Sequence, residues 1–331
     1  SVWLTGYALH YAPVSTPADI GRSTITTARY LFESGLNPYA TPVDMDAGPI
    51  GTGFHFFNGY KYFPLTLCFN YPFVLAFGRN GIYIANYLLT IACLAALLVL
   101  GRDLFTGAPP HIALALTATS PFLLHELFRQ GVNDMLPIAC TVASVALLQR
   151  RHCGAAGLAL GLGMSAKYMP GLLAAPLLLI AARRRARFLI ACTAPMLLIV
   201  GPFILMAPKE FTGSIILYYL GQTPDSTSVL FFLPPALQHI WPVLGLAVLA
   251  FIHAAFLVRT VIYRKHTGEA GGLLLHLCLA IGAACLFTKV NHRNYLMWPL
   301  PFLALCLGDL GTTLAALTPW RRGRHERSDT T

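Results

Sequence analysis

Carboxylates, cations and imidazoles recur where apolar stretches of the chain give way to polar connectors. They are Asp19, Asp44 and Asp46 early on, then His125, Glu126, Arg129 and Asp134 with the amide Gln130 among them, then Lys167, and finally His292 and Arg293. Ionisable groups at or inside a membrane boundary are expensive to keep, so each is a candidate for function. The mixture suits transfer of a group away from a phosphate. A carboxylate takes the proton from an acceptor hydroxyl, and cations stabilise the departing phosphate charge.

Each residue also has a purely structural reading. Asp19 and Asp134 stand where helices begin, so either can cap backbone N–H groups. Lys167 and Arg293 can snorkel to outer headgroups. Asp44-Met45-Asp46 reads either as a divalent-metal pair or as a solvated turn. His253 and His276 fall within apolar helices and read as packing residues. Tyr39, Tyr60, Tyr62, Tyr218 and Tyr219 fit an interfacial aromatic belt, and equally a face on which sugar rings stack.

The elements that hold these residues are set by composition. Of the 331 residues 56% are hydrophobic and 11% charged, against about a quarter charged in a soluble domain. The bilayer must therefore be the solvent. Long apolar runs over about 81–317, without the alternation a β-barrel needs, predict an all-α polytopic transmembrane bundle. The expected helices are 81–101, 110–126, 134–149, 154–166, 169–182, 187–206, 239–259, 271–288 and 295–317. Two of them, on either side of Lys167, are short for a crossing of about 20 residues. They read as a half-depth hairpin or as helices beside a cavity, broken at Ser165-Ala166-Lys167-Tyr168-Met169-Pro170.

The net charge of +10 does not form a nucleic-acid stripe, so no nucleic-acid partner is expected. Arginines mark alternate connectors instead: Arg102, Arg150 and Arg151, Arg183 to Arg187, Arg259 and Arg264, and the tail from Arg321. By the positive-inside rule these are cytoplasmic, which puts residues 1–80 and the Lys167 break outside. Residues 1–80 form the first domain, 81–317 the bundle and 318–331 a basic cytoplasmic tail. Within the first domain, Ile20, Ile25, Ala28, Leu31 and Phe32 predict an amphipathic helix ending at Gly35, and 63–78 reads as a re-entrant or interfacial helix. Residues 207–238 are polar enough to leave the bilayer. The eight cysteines are scattered singly and predict no disulfide or zinc framework. The opening Ser1-Val2-Trp3-Leu4 lacks Met and a basic flank, which predicts a helix upstream of residue 1.

Four stretches carry a family resemblance. Asp19-Ile20, with Gly35-Leu36-Asn37-Pro38-Tyr39 and then Tyr60-Lys61-Tyr62-Phe63-Pro64, resembles the first outer loop of GT-C-type glycosyltransferases. Arg129-Gln130-Gly131-Val132-Asn133-Asp134 is similar to the Gly-Gln-x-Asp region of bacterial polyprenyl-phosphate-mannose-dependent mannosyltransferases. Gly163-Met164-Ser165-Ala166-Lys167-Tyr168-Met169-Pro170 resembles their Lys-x-x-Pro segment, and Asn291-His292-Arg293-Asn294-Tyr295-Leu296-Met297-Trp298-Pro299 their His-x-x-Tyr-Leu-x-Trp stretch.

The resemblance implies a bacterial inner-membrane enzyme. It would pass a sugar, mannose or a relative, from a polyprenyl phosphate to an extracytoplasmic glycan, glycolipid or protein, generally with inversion. Asp19 would be the general base or a metal-adjacent carboxylate. Lys167, Arg293 and His292 would hold the donor phosphate. Arg129, Gln130, Asp134, Tyr60, Lys61 and Tyr295 would complete the substrate site, with membrane lipid as surroundings. The rival readings are a flippase or transporter of a lipid-linked sugar and a structural membrane subunit. A transporter predicts polar residues through mid-bilayer and duplicated halves, whereas here the ionisable groups gather outside and no internal repeat is found.

Overall fold

The computed structural model describes residues 17, 19–41, 59–105, 109–221, 228–262, 270–288 and 293–307. The fold is an all-α membrane bundle. Its helices in chain order are α1 (Asp19–Ser34), α2 (Leu65–Phe77), α3 (Gly81–Leu104), α4 (Pro109–Ala118), α5 (Pro121–His125), α6 (Met135–Gln149), α7 (Cys153–Ala166) and α8 (Ala174–Ile180). There follow α9 (Arg185–Pro195), α10 (Gly201–Met206), α11 (Pro208–Thr212), α12 (Tyr218–Gly221), α13 (Pro235–Ile262), α14 (Ala270–Leu286) and α15, residues 300–307. Among the described residues, three helical stretches are long and apolar enough to cross a membrane: Leu65–Leu104, Arg185–Met206 and Pro235–Val258.

The bundle is polarised end to end. Asp134 precedes α6 and Lys167 follows α7, so the α6–α7 hairpin brings both to one end. Arg150 and Arg151 occupy its turn, about 22 Å away at 1.5 Å per residue along α6. At that second end Arg150 forms a bidentate pair with Asp103, with Nε to Oδ2 at 2.6 Å, and the Arg184 guanidinium donates to the Arg151 carbonyl at 3.1 Å. Three arginine-bearing connectors therefore share one end, as the charge pattern predicts.

Helix α2 begins and finishes at the Asp134 end. The Thr66 hydroxyl donates to the Ala166 carbonyl, and just beyond the reversal at Gly78, Ile82 and Tyr83 lie against Gly131. Gly78 has φ 57°, a conformation that glycine adopts without steric cost. Helix α1 stops at Gly35 (φ 65°), as expected. Its protein-facing side is made of small and hydroxylated residues. Gly21, Ser23, Thr24, Thr27 and Ala28 turn inward, while Phe32 is exposed and stacks on Tyr71 at 4.4 Å. Small residues win because the neighbour is backbone: a Cβ on Gly21 would stand 2.8 Å from the Gly131 carbonyl oxygen. The expected helix 110–126 is also interrupted. It breaks at Thr119-Ser120 and restarts at Pro121, with Ser120 accepting the Leu123 N–H at 3.3 Å.

Close packing of α7 fixes the hairpin. Gly157 and Gly161 lie one turn apart and let α9 approach until a Cβ on either would collide with the Phe188 or Cys192 carbonyl. Across the opposite face the Ser144 hydroxyl of α6 donates to the Ala156 carbonyl at 2.8 Å. Gly161→Ala should therefore lower stability by about 1–3 kcal/mol, the usual cost of overpacking. The reference is Gly201→Ala, where nothing lies within 4 Å of the added methyl. Thermal unfolding of the two variants in matched detergent checks this, with Gly201→Ala expected to stay near the parent.

Candidate active site

Asp134 is the centre of the described cluster. Its carboxylate is fully buried (0% exposed), and Lys167 beside it is 3% exposed. The Lys167 ammonium donates to Oδ1 at 2.6 Å, the Trp298 indole N–H donates to the same oxygen at 2.8 Å, and the Asn294 amide donates to Oδ2 at 2.5 Å. Asp134 stands at the start of α6, yet its side chain makes no capping bond, so the capping reading is overturned.

Local backbone explains how these groups meet. Helix α7 ends because Lys167 is extended (φ −159°, ψ 151°) ahead of Pro170, which redirects the side chain inward. The chain before Asp134 runs through a π-turn, Glu126–Gln130, closed by Gly131 at φ 63°. Asn86 of α3 fastens this loop by donating to the Leu127 and Val132 carbonyls at 3.2 and 2.9 Å. Asn294 and Trp298 come from the turn Arg293–Met297 and the residue after it.

Aromatic rings wall the pair. The Lys167 ammonium lies 5.2 Å from the centre of the Tyr62 ring and 5.4 Å from that of Tyr295. Beyond them Tyr168 meets Tyr219 edge-on at 6.1 Å, and the Tyr219 hydroxyl donates to the Lys61 carbonyl at 3.1 Å. Lys61 places its own ammonium 4.4 Å over Tyr218. Tyr60 shares a 3.1 Å hydrogen bond with Thr24 of α1, and Tyr39 donates to the Tyr62 carbonyl at 2.8 Å. The five tyrosines singled out in sequence therefore join one cluster with both lysines.

Burial pushes the Lys61 ammonium down to about 8, so it changes charge near neutrality. Burial also raises the Tyr168 phenol to about 12 and the Tyr60 and Tyr219 phenols further, which keeps them protonated as donors. Asp134, with both oxygens engaged, is built for holding position.

The remaining sequence candidates fall unevenly. Gln130 is half-buried and Arg129 exposed on the π-turn. The His125 imidazole sits 3.2 Å from the buried Glu126 carboxylate. The backbone of Asp19 opens α1, two residues before Gly21 docks on Gly131, which brings that helix end beside the Asp134 loop. The side chains of Asp19 and Arg293, and all of Asp44, Asp46 and His292, lie outside the described residues. His253 and His276 pack ring to ring at 5.1 Å between α13 and α14, away from the cluster. Sequence reasoning missed Asn294, Trp298 and Asn86 as partners. The available signals were the Asn291-to-Pro299 stretch, which holds both Asn294 and Trp298, and the polar Asn86 inside an apolar run.

Removing one member of a buried pair leaves an uncompensated charge, which costs about 3–5 kcal/mol. Lys167→Met should therefore destabilise by about that amount, and Lys167→Met combined with Asp134→Leu by clearly less than the sum of the two singles. Melting temperatures of the four proteins in a double-mutant cycle measure the coupling, and simple additivity would rule it out.

Comparison with known proteins places this geometry. In the crystal structure of ArnT from Cupriavidus metallidurans bound to undecaprenyl phosphate, the chain aligns over 96% of its length with TM-score 0.61 and 16% identity. The apo ArnT structure from the same organism gives TM-score 0.57 at 17% identity, again over 96% of this chain. The chain spans 62% of the length of either ArnT chain. These likenesses establish a shared GT-C fold. No curated protein matches the sequence. Residues 60–288, well over half the chain and carrying the Lys61, Asp134 and Lys167 cluster, match glycosyltransferase family 87, and this protein is a member of that family.

Proposed function

We propose that the protein transfers a sugar from a polyprenyl-phosphate donor to an acceptor outside the cytoplasm, with inversion at the anomeric carbon. The observation that carries the reading is the convergence of Lys61, Lys167 and a ring of protonated tyrosines at one end of a family 87 bundle. The undecaprenyl phosphate held by the ArnT relative supports the donor class. Arginine-bearing connectors at the opposite end support an extracytoplasmic site, by the positive-inside rule.

In this reading Lys61 and Lys167 meet the donor phosphate, with Arg293 and His292 completing the cationic set. The Asp134 bond uses one of the three ammonium protons of Lys167 and fixes its direction. As the bond from the anomeric carbon to the phosphate oxygen breaks, negative charge grows on the phosphate, where cations held in a low-dielectric site are most effective. Asp19 takes the proton of the incoming acceptor hydroxyl from the opposite face, which inverts the centre. Arg129, Gln130, Tyr60 and Tyr295 line the sugar and acceptor side, and Asp44 and Asp46 are candidates for a divalent metal. Mannose or a related sugar fits the sequence resemblance, with a glycan, glycolipid or protein as acceptor.

The direct test is transfer of radiolabel from a polyprenyl-phosphate sugar into membrane acceptors. Asp19→Asn should lower the rate about 10²–10⁴-fold, the usual weight of a general base, and full activity in that variant would sink its role. A second measurement reads the phosphate contact. Lys61 is charged below pH 8 and neutral above it, so the apparent donor affinity should weaken as pH rises from 7 to 9.5. Lys61→Arg, whose guanidinium stays protonated throughout, should flatten that alkaline limb. A wild-type profile that stays level over this interval removes Lys61 from the phosphate site.

A further inference from the structure

The end of the bundle opposite the candidate active site carries a second constellation, which no part of the transfer reaction uses. A cavity of about 130 Å³ opens there, lined by Arg151, His152, Arg184, Arg187 and the first turn of α7, residues 153–155. We propose that this cavity is a phosphate site occupied by the headgroup of an anionic membrane lipid.

Three independent features converge on an anion. First, every charged side chain lining the cavity is a guanidinium. Second, α7 presents its amino end to the same space. Its first amides have no helical carbonyl to reach, and the residue before it, His152, supplies no side-chain cap. Third, Gly154 leaves that helix end open to Arg187, whose Nε lies 2.9 Å from the point where a Cβ would stand. Arg187 thereby adds its positive charge to that of the helix end, and an anion in the cavity would meet both. The Arg184 guanidinium is anchored in place by its 3.1 Å bond to the Arg151 carbonyl.

The surroundings favour a lipid over a free phosphate. About one turn further along the same two helices, Leu158 of α7 and Leu189 and Ile190 of α9 are exposed, Ile190 by 71%. A phosphate seated among the arginines would thus have its acyl chains running along an apolar flank. The arginines belong to connectors at the end of membrane-crossing helices, the depth at which a leaflet presents its phosphates. Basic pockets of this kind between transmembrane helices bind anionic headgroups, and each arginine near the surface contributes about fivefold in affinity.

Native mass spectrometry of the full chain, released from detergent containing phosphatidylglycerol or phosphatidylcholine of matched acyl chains, tests the proposal. Wild type should retain phosphatidylglycerol preferentially. R187Q should lose about fivefold in retention, and the R151Q/R184Q/R187Q variant on the order of a hundredfold. R102Q, which removes the same charge outside the cavity, should behave as wild type. Circular dichroism melts identify any variant that fails to fold, and the single R187Q substitution keeps the comparison decisive if the triple variant does not. Inorganic phosphate added without lipid separates the two sources of phosphate. The proposal is overturned if R187Q retains lipid as wild type does, if R102Q loses as much as R187Q, or if inorganic phosphate binds while phosphatidylglycerol shows no preference over phosphatidylcholine.

Discussion

Burying a carboxylate with no exposed surface costs several kcal/mol unless a counter-charge and complete hydrogen bonding compensate. Asp134 meets that condition with Lys167, Asn294 and Trp298, and the requirement ties together three parts of the chain that are far apart in sequence. The residue after α7, the residue before α6 and the turn ahead of α15 all have to arrive at one point. A shift of an ångström in any of them would leave a buried polar atom without its partner. The pair is less a source of stability than a constraint on geometry. It decides which end of the bundle is organised around polar groups.

The helices satisfy that constraint because their lengths and contact faces are fixed by small residues. Gly157 and Gly161 bring α9 into backbone contact with α7, and the Ser144 bond to Ala156 seats α7 on α6. In a lipid environment, where apolar surface alone gives helices little reason to associate, close approach and buried hydrogen bonds supply the association energy. Helix α1 follows the same logic at the rim. Its serine and threonine face reaches the backbone of the Gly131 loop and the hydroxyl of Tyr60. The result is a site assembled on helix ends whose directions are set elsewhere.

Charge works differently at the two ends. At the Asp134 end the cations face aromatic rings and one of them a carboxylate, and the tyrosines remain donors. At the other end guanidiniums gather around a helix amino terminus, with Asp103 answering Arg150 alone among the described residues. Membrane orientation and the two binding readings both grow from this asymmetry.

Composition and hydrophobic period were enough to determine an all-α membrane bundle. The predicted helices 134–149, 154–166 and 169–182 appear as α6, α7 and the stretch to Ile180, because apolar runs in lipid can satisfy their backbone only as helices. The members of the buried polar cluster, Asp134, Lys167, Lys61 and Tyr295, were also legible, since ionisable and aromatic groups at helix ends stand out against an apolar background. Which of them touch was decided only in three dimensions. Sequence separation carries no information on whether Asp134 caps its own helix or accepts a lysine 33 residues away. The inward face of α1 was not legible for a related reason: hydrophobicity marks what avoids water, whereas the face that packs was chosen by how closely backbone could approach backbone. The sequence thus settled the solvent, the helices and the inventory of reactive groups, and the tertiary structure alone paired them, because pairing depends on distances between helix ends that no local pattern encodes.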